Sequence, residues 1–234
     1  MRLPAFRFTG PAVAAVGLTL AGCTGPLSTL DTAGPAAASI ATLWWVMLAG
    51  AMALFALVVA LLLAAFVKPG SGAGTRPLLW LAGGGLVLPA FVLTPLLFYA
   101  LWSGERLLAH PLSGAIRIEA EARQWQWTFT YPDAAGGPRS TVNVLHVPAG
   151  SPVDLRITSA DVIHSFWVPR LAGKIDAIPG HTNMLRVVAE RPGFYRGVCA
   201  EFCGTGHTGM EVLVEAHPPD EYAARLVRLA EPVH

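Results

Sequence analysis

Long charge-free apolar stretches fill the first half of the chain, and short runs that alternate with turn signals fill the second. Residues 40–67 and 77–102 contain no charged side chain. At ~1.5 Å per residue, either stretch is long enough to cross a ~30 Å hydrocarbon core. Between them, residues 68–76 carry Lys68 and Arg76 around Pro69, Gly70, Ser71, Gly72 and Gly74. Trp44, Trp45, Trp80, Tyr99 and Trp102 fall near the ends of the two stretches, where interfacial aromatics belong. The pattern predicts a two-helix transmembrane hairpin. Positive charge stays inside, so the turn at 68–76 faces the cytoplasm and everything after Gly104 faces out.

From Glu105 the pattern changes. Residues 116–121, 126–131, 141–147, 153–158, 183–188, 194–198 and 210–215 read as strands. Pro132-Asp133, Pro148-Ala149-Gly150, Pro179-Gly180 and Pro192-Gly193 mark turns between them. So many short strands indicate an antiparallel sandwich or Greek-key barrel over residues 103–217. Residues 218–234 form a tail, with a short amphipathic helix expected at 220–230.

Composition narrows the class. Hydrophobic residues make up 53 % of the 234 and charged residues 13 %, about half the ~25 % typical of soluble domains. That composition excludes a disordered chain and argues against a wholly soluble one. A net charge of +1 offers no basic excess for nucleic acid. Arg2 and Arg7, the short apolar run 11–20 and the ending Leu20-Ala21-Gly22-Cys23 have the layout of a secretory signal over residues 1–22. The last four residues resemble the bacterial lipobox, which makes Cys23 the expected lipidation site. Residues 23–39, rich in Gly, Pro, Ala, Ser and Thr, read as a linker.

The chemistry is concentrated in Cys199-Ala-Glu-Phe-Cys203-Gly-Thr-Gly-His207-Thr-Gly-Met210, with His164 upstream in Asp161-Val-Ile-His164-Ser-Phe-Trp. Thiolate, thioether and imidazole together are a copper donor set. A zinc site has no use for Met210, and a Cys199–Cys203 disulfide leaves His207 and Met210 unexplained. A mononuclear blue-copper site uses one Cys, so the second is surplus to it. Two thiolates can instead bridge two copper ions, each terminated by one His. The other histidines, His110, His146, His181, His217 and His234, have no evident ligand company and read as surface or loop residues.

These motifs resemble subunit II of the haem–copper cytochrome c oxidases. The resemblance extends to Lys174-Ile-Asp176-Ala-Ile-Pro179-Gly180, Gln124-Trp125-Gln126-Trp127 and the helical hairpin. It implies a two-helix transmembrane hairpin followed by an all-β cupredoxin-like Greek-key barrel holding a binuclear copper centre, CuA. By the same resemblance His164, Cys199, Cys203, His207 and Met210 are side-chain ligands, and Glu201 lends its backbone carbonyl. The Glu201 side chain would reach a magnesium ion at the interface with subunit I. Trp125 matches the aromatic residue through which electrons arrive from cytochrome c, and Asp161 an acidic residue near the docking face. The implied partners are subunits I and III, cytochrome c and membrane lipid. The implied place is a bacterial inner membrane, with the β-domain on the periplasmic face. As an oxidoreductase and translocase component, the chain would accept electrons while subunit I reduces O2.

Three departures from the family pattern stand out. Ala82 falls where a glutamate commonly opens a proton path, and no acid occurs between Asp31 and Glu105. Arg123 replaces a common His beside Gln124. The segment 134–140 is short, and no strongly acidic docking face is evident. Competing readings are a quinol-oxidase-like subunit II, which lacks copper, and a copper-binding or copper-delivery membrane lipoprotein.

Overall fold

The computed structural model describes residues 23–68, 76–109, 114–132, 134 and 137–229. The signal expected over 1–22 and the interior of the basic turn lie outside the described residues. The chain divides into two compact units. One is helical and lies within residues 39–112; the other combines residues from 113 onward with those up to 38.

Helix α1 spans Pro35–Val67 and helix α2 spans Pro77–Glu105. Pro77 begins α2, where its missing N–H leaves no intrahelical bond unmade. Trp80–Val87, which contains Ala82 and the Gly83-Gly84-Gly85 run, is wound as a π-helix, and Pro95 lies inside the α-helical part that follows. The most apolar windows of both helices bury none of their residues in the protein, and Phe55, Phe66, Phe91 and Phe98 are all exposed. Surfaces this apolar are stable in lipid, not water. With the length of both helices, they make this a membrane protein.

The second unit is a two-sheet sandwich of the cupredoxin-like kind. Its strands are β1 (Ile116–Arg123), β2 (Gln126–Tyr131), β3 (Arg139–Val142), β4 (Val144–Pro148), β5 (Val153–Ser159), β6 (His164–Trp167), β7 (Ile175–Ala177), β8 (Asn183–Val187), β9 (Gly193–Cys199) and β10 (Glu211–His217). One sheet runs β3-β2-β1-β5-β8 and the other β4-β10-β9-β6-β7. Helix α3 (Pro219–Val227) follows β10. Alternate residues point inward, so Ile118, Ala120, Trp127, Phe129, Leu155 and Ile157 of one sheet meet Leu145, Phe166, Val212 and Val214 of the other. Trp127 meets Phe166 edge-to-face, with ring centres 5.2 Å apart.

The sheets differ from the expected all-antiparallel arrangement, because β1 pairs parallel to β5 and β4 parallel to β10. Such neighbours are joined by crossovers, which local sequence patterns do not reveal. The run 141–147 is split into β3 and β4 by Asn143, which adopts φ 59°, a left-handed conformation that Asn tolerates. There the Asn143 Oδ1 accepts the Trp127 backbone N–H at 2.8 Å.

The segment read as a linker is packed onto the β-domain. The Ala33 N–H donates to the Arg170 carbonyl at 2.7 Å, and the Glu190 N–H donates to the Ala33 carbonyl at 3.0 Å. The Arg170 guanidinium contacts Asp31 Oδ1 at 3.1 Å. Gly34 passes so close that a Cβ would lie 2.4 Å from the Val188 carbonyl oxygen. Small residues are required for this close approach, so a composition that resembles a flexible tether here serves packing.

Candidate metal centre

The cluster forms at one end of the second sheet. His164 opens β6, Cys199 closes β9, and Met210 immediately precedes β10. Cys203 and His207 lie on the loop between these strands, with a single turn of 3-10 helix at His207–Gly209. The Met210 carbonyl accepts the Cys199 N–H at 2.9 Å, closing the loop at its base. Rigid strands thus carry His164 and Cys199, and a short loop tied at its base carries Cys203, His207 and Met210.

The two thiols are unbonded to each other, with sulfurs 3.8 Å apart. The His164 Nδ1 stands 3.9 Å from the Cys199 sulfur, and the His207 Nδ1 stands 3.6 Å from that of Cys203. The Glu201 carbonyl oxygen is 3.3 Å from Cys199, and the Met210 sulfur is 4.0 Å from Cys203. A metal with bonds of ~2.0–2.3 Å at tetrahedral angles spaces its donors roughly 3.3–3.8 Å apart. The donor set and its spacing therefore fit copper, and the arrangement has two lobes. Each lobe brings one imidazole and one weaker donor to the sulfur pair.

Burial keeps water out. His164, Cys199, Cys203 and Met210 are buried, while His207 is partly exposed. Burial, and after it the neighbouring Cys199, pushes the Cys203 thiol up to about 11. Without metal the thiol is protonated near neutral pH, so binding must displace a proton.

Asp161 lies behind His164. Its Oδ1 is 2.9 Å from the His164 Nε2, which leaves Nδ1 facing Cys199. The carboxylate also accepts N–H groups from Gln124 at 2.8 Å and Val162 at 2.6 Å. Burial pushes its pKa up, but these hydrogen bonds and the His164 ring outweigh that and hold it at about 2. A carboxylate that fixes a ligand's tautomer and orientation is a recurrent partner of metal-bound histidine. Sequence reasoning missed this contact, although the i, i+3 spacing of Asp161 and His164 was its signal.

Trp125 lies in the turn between β1 and β2 and is 40 % exposed, whereas Trp127 is fully buried. The Trp125 indole N–H donates to the Cys203 carbonyl at 3.3 Å, and the Gln124 side-chain amide donates to the same oxygen at 2.8 Å. The ring covers Gly206 so closely that a Cβ there would lie 2.4 Å from it. The glycines between Cys203 and His207 thus make room for the indole. Arg123 forms an exposed ion pair with Glu121 at 3.6 Å. Phe202 and the Glu201 side chain are exposed beside the cluster.

The histidines outside the motif require a correction. His181 is exposed, and His110 and His234 lie outside the described residues. His146 and His217 are buried, and their ring nitrogens are 2.9 Å apart. They are buried neighbours on adjacent strands, on the face away from the sandwich core, not surface or loop residues.

Comparison with known proteins points one way. Residues 138–217 match the family model for the cytochrome C oxidase subunit II periplasmic domain. Cytochrome c oxidase subunit 2 of Arabidopsis thaliana is 32 % identical over 173 residues, covering 64 % of this chain and 65 % of the relative. The Synechocystis protein is 40 % identical over 107 residues, covering 46 % of this chain and 31 % of the relative. The chain thus spans from about a third to about two thirds of the length of these relatives. Among solved structures, the periplasmic domain of subunit II of cytochrome oxidase from Bradyrhizobium japonicum is 30 % identical, with a TM-score of 0.47. That match covers 51 % of this chain and 95 % of that one. These matches make the chain similar to the cytochrome c oxidase subunit II family, through its periplasmic domain over residues 138–217 and through relatives that align with up to 64 % of the chain.

Proposed function

We propose that this chain is the electron-accepting subunit of a cytochrome c oxidase. It takes electrons from a cytochrome c at a binuclear copper centre and hands them to haem in subunit I, where O2 reduction is coupled to proton translocation. The observation that carries this reading is the two-lobed donor set. Cys199 and Cys203 are close enough to share metals, and each faces its own imidazole.

When bound, a thiolate-bridged copper pair supplies one-electron redox chemistry. His164, Cys199, Cys203, His207, Met210 and the Glu201 carbonyl would hold it. Met210 and Glu201 provide the weak donors through which proteins tune copper potentials. Asp161 holds the His164 ring in place, and the strands beneath limit how far any donor can move. Trp125 supplies a half-exposed aromatic face, with one hydrogen bond from its indole to the backbone of a ligand. That link supports its assignment as the route for incoming electrons, and the exposed side of Asp161 is assigned to donor docking. The exposed Glu201 carboxylate is assigned to a magnesium ion at the boundary with subunit I.

In the membrane, α1 and α2 form the anchoring hairpin, with Lys68 and Arg76 on the cytoplasmic side and the β-domain on the periplasmic side of a bacterial inner membrane. Residues 1–22 serve as a lipoprotein-type signal, with lipid attached at Cys23. Subunits I and III are the integral partners. The complete donor set disfavours a copper-free quinol-oxidase-like role. Burial of four of the donors disfavours a delivery lipoprotein, whose ligands must exchange.

The test is rapid mixing of reduced cytochrome c with the assembled oxidase. Trp125→Phe is expected to slow the first electron transfer at least tenfold while copper content holds, and Cys203→Ser to remove both copper and transfer. Normal transfer in Cys203→Ser would overturn the proposal.

A further inference from the structure

A second cluster of metal-ligating side chains lies on β4 and β10, away from the Cys-rich loop. His146 is the parallel-register partner of Glu215. With a period of two, His217 falls on the same face of β10 as Glu215. This places three potential donors side by side on the outer face of the sheet. The His146 Nδ1 is 2.9 Å from the His217 Nε2 and 3.4 Å from the Glu215 Oε2. One ligand atom from each residue lies within 4.8 Å of the others.

Burial prepares these groups to bind metal. His146 is 3 % exposed and His217 7 %. Desolvation lowers the His146 pKa to about 4 against the pull of Glu215, and it lowers His217 as well. Both imidazoles are therefore neutral near pH 7, the state a metal requires. Two neutral rings 2.9 Å apart share one proton in a hydrogen bond. A metal takes the place of that proton when the donating ring shifts it to its other nitrogen, so no net charge leaves the site. The backbone at His146 is held by the Tyr131 hydroxyl, which accepts the His146 N–H at 2.8 Å.

The site also has an opening. Glu215 and His217 line a cavity of about 340 Å³, together with Asp220, Glu221 and Arg225. Three protein donors with a fourth position toward a cavity match an open zinc-type site. Two imidazoles and a carboxylate select a borderline divalent ion over calcium or magnesium, which prefer oxygen. We infer that His146, Glu215 and His217 form a second divalent transition-metal site, of the zinc class, separate from the Cys199–Met210 cluster. Arg225 is its internal competitor. Its guanidinium is 3.5 Å from the Glu215 Oε2, and the side chain is exposed enough to move aside.

The test uses the full chain in detergent with Cys199→Ser and Cys203→Ser, so that the paired thiols of the first cluster do not bind the probe. Zn2+ binding is measured by equilibrium dialysis with metal analysis, and Co2+ binding by visible absorption. One equivalent of Zn2+ is expected, with Co2+ showing d–d bands and no thiolate charge-transfer band. Glu215→Gln and His217→Gln should each weaken Zn2+ at least tenfold, and Arg225→Gln should tighten it. Circular dichroism checks that each variant is folded, and the partly exposed Glu215→Gln guards against collapse of the buried His positions. No bound Zn2+ in the folded chain would overturn the site. So would an equivalent that survives both ligand substitutions undiminished, because it would lie elsewhere, for example at His164 and His207.

Discussion

The Asp161 carboxylate meets the His164 Nε2 at 2.9 Å, and on the opposite side of the ring Nδ1 faces the Cys199 sulfur. One carboxylate thus sets which nitrogen is available to metal. The same carboxylate accepts the Gln124 N–H, so the ligand and the turn that carries Trp125 share one support. Asp161→Asn keeps the shape but removes the charge. Copper affinity is expected to fall about 10–100-fold, as for other partners of metal-bound histidine, and the copper absorption bands should shift. Competition with a copper chelator measures the first effect. Unchanged affinity and bands would show that Asp161 serves docking alone.

The Asp161 pKa also gives a pH dependence. It is depressed in the fold to about 2, below an unfolded value of ~3.9. Its stabilising contribution is therefore complete above about pH 4 and is lost as pH falls toward 2. In metal-free protein, the difference in denaturation midpoint between wild type and Asp161→Asn should shrink from pH 5 to pH 2.5. A constant difference would contradict the assignment.

Gly206 and Gly209 make a matched pair. A Cβ on Gly206 would fall 2.4 Å from the Trp125 ring, while one on Gly209 would meet nothing within 4 Å. Gly206→Ala should displace the indole, shift Trp125 fluorescence and slow electron uptake from cytochrome c, with copper retained. Gly209→Ala should change none of these. Equal behaviour of the two variants would remove the claim that the indole is seated on the loop.

The two tryptophans of the Gln124–Trp127 segment should separate by stability. Trp127 is fully buried against Phe166 and His164, so Trp127→Ala should cost about 3–5 kcal/mol. Trp125→Ala removes a ring that is 40 % exposed and should cost about 1 kcal/mol or less. Chemical denaturation of the two variants decides, and similar losses would contradict the division into core and surface.

Gly34→Ala tests the docked N-terminal segment. The new methyl would be 2.4 Å from the Val188 carbonyl oxygen and 2.8 Å from that of Leu171. Backbone atoms yield poorly, so a loss of about 1–3 kcal/mol is expected, with faster hydrogen exchange at the Ala33 and Glu190 amides. Wild-type exchange at both amides would show that the segment does not depend on the close approach.

Much of this was legible from the sequence because it is local. The Cys199–Met210 donors lie on one loop, and period-two alternation marked most of the strands that hold it. Charge-free length marked α1 and α2. The omissions are non-local or short. Strands β6 and β7 have four and three residues, too few to show a period. Asn143 breaks a continuous apolar run through its backbone conformation. His146 and His217 are 71 residues apart and meet only because β4 and β10 pair in parallel, so in sequence each reads as a lone surface or loop histidine. Small residues at 23–39 resembled a tether because composition does not distinguish flexibility from close packing.

The most direct measurement of the central claim is copper content together with the electron paramagnetic resonance spectrum of the copper-loaded full chain. Two coppers per chain are expected, with hyperfine structure from one electron shared equally by two nuclei, and either Cys199→Ser or Cys203→Ser should abolish that signal. One copper per chain with a single-ion spectrum, or a shared-electron signal that survives loss of either cysteine, would contradict the account.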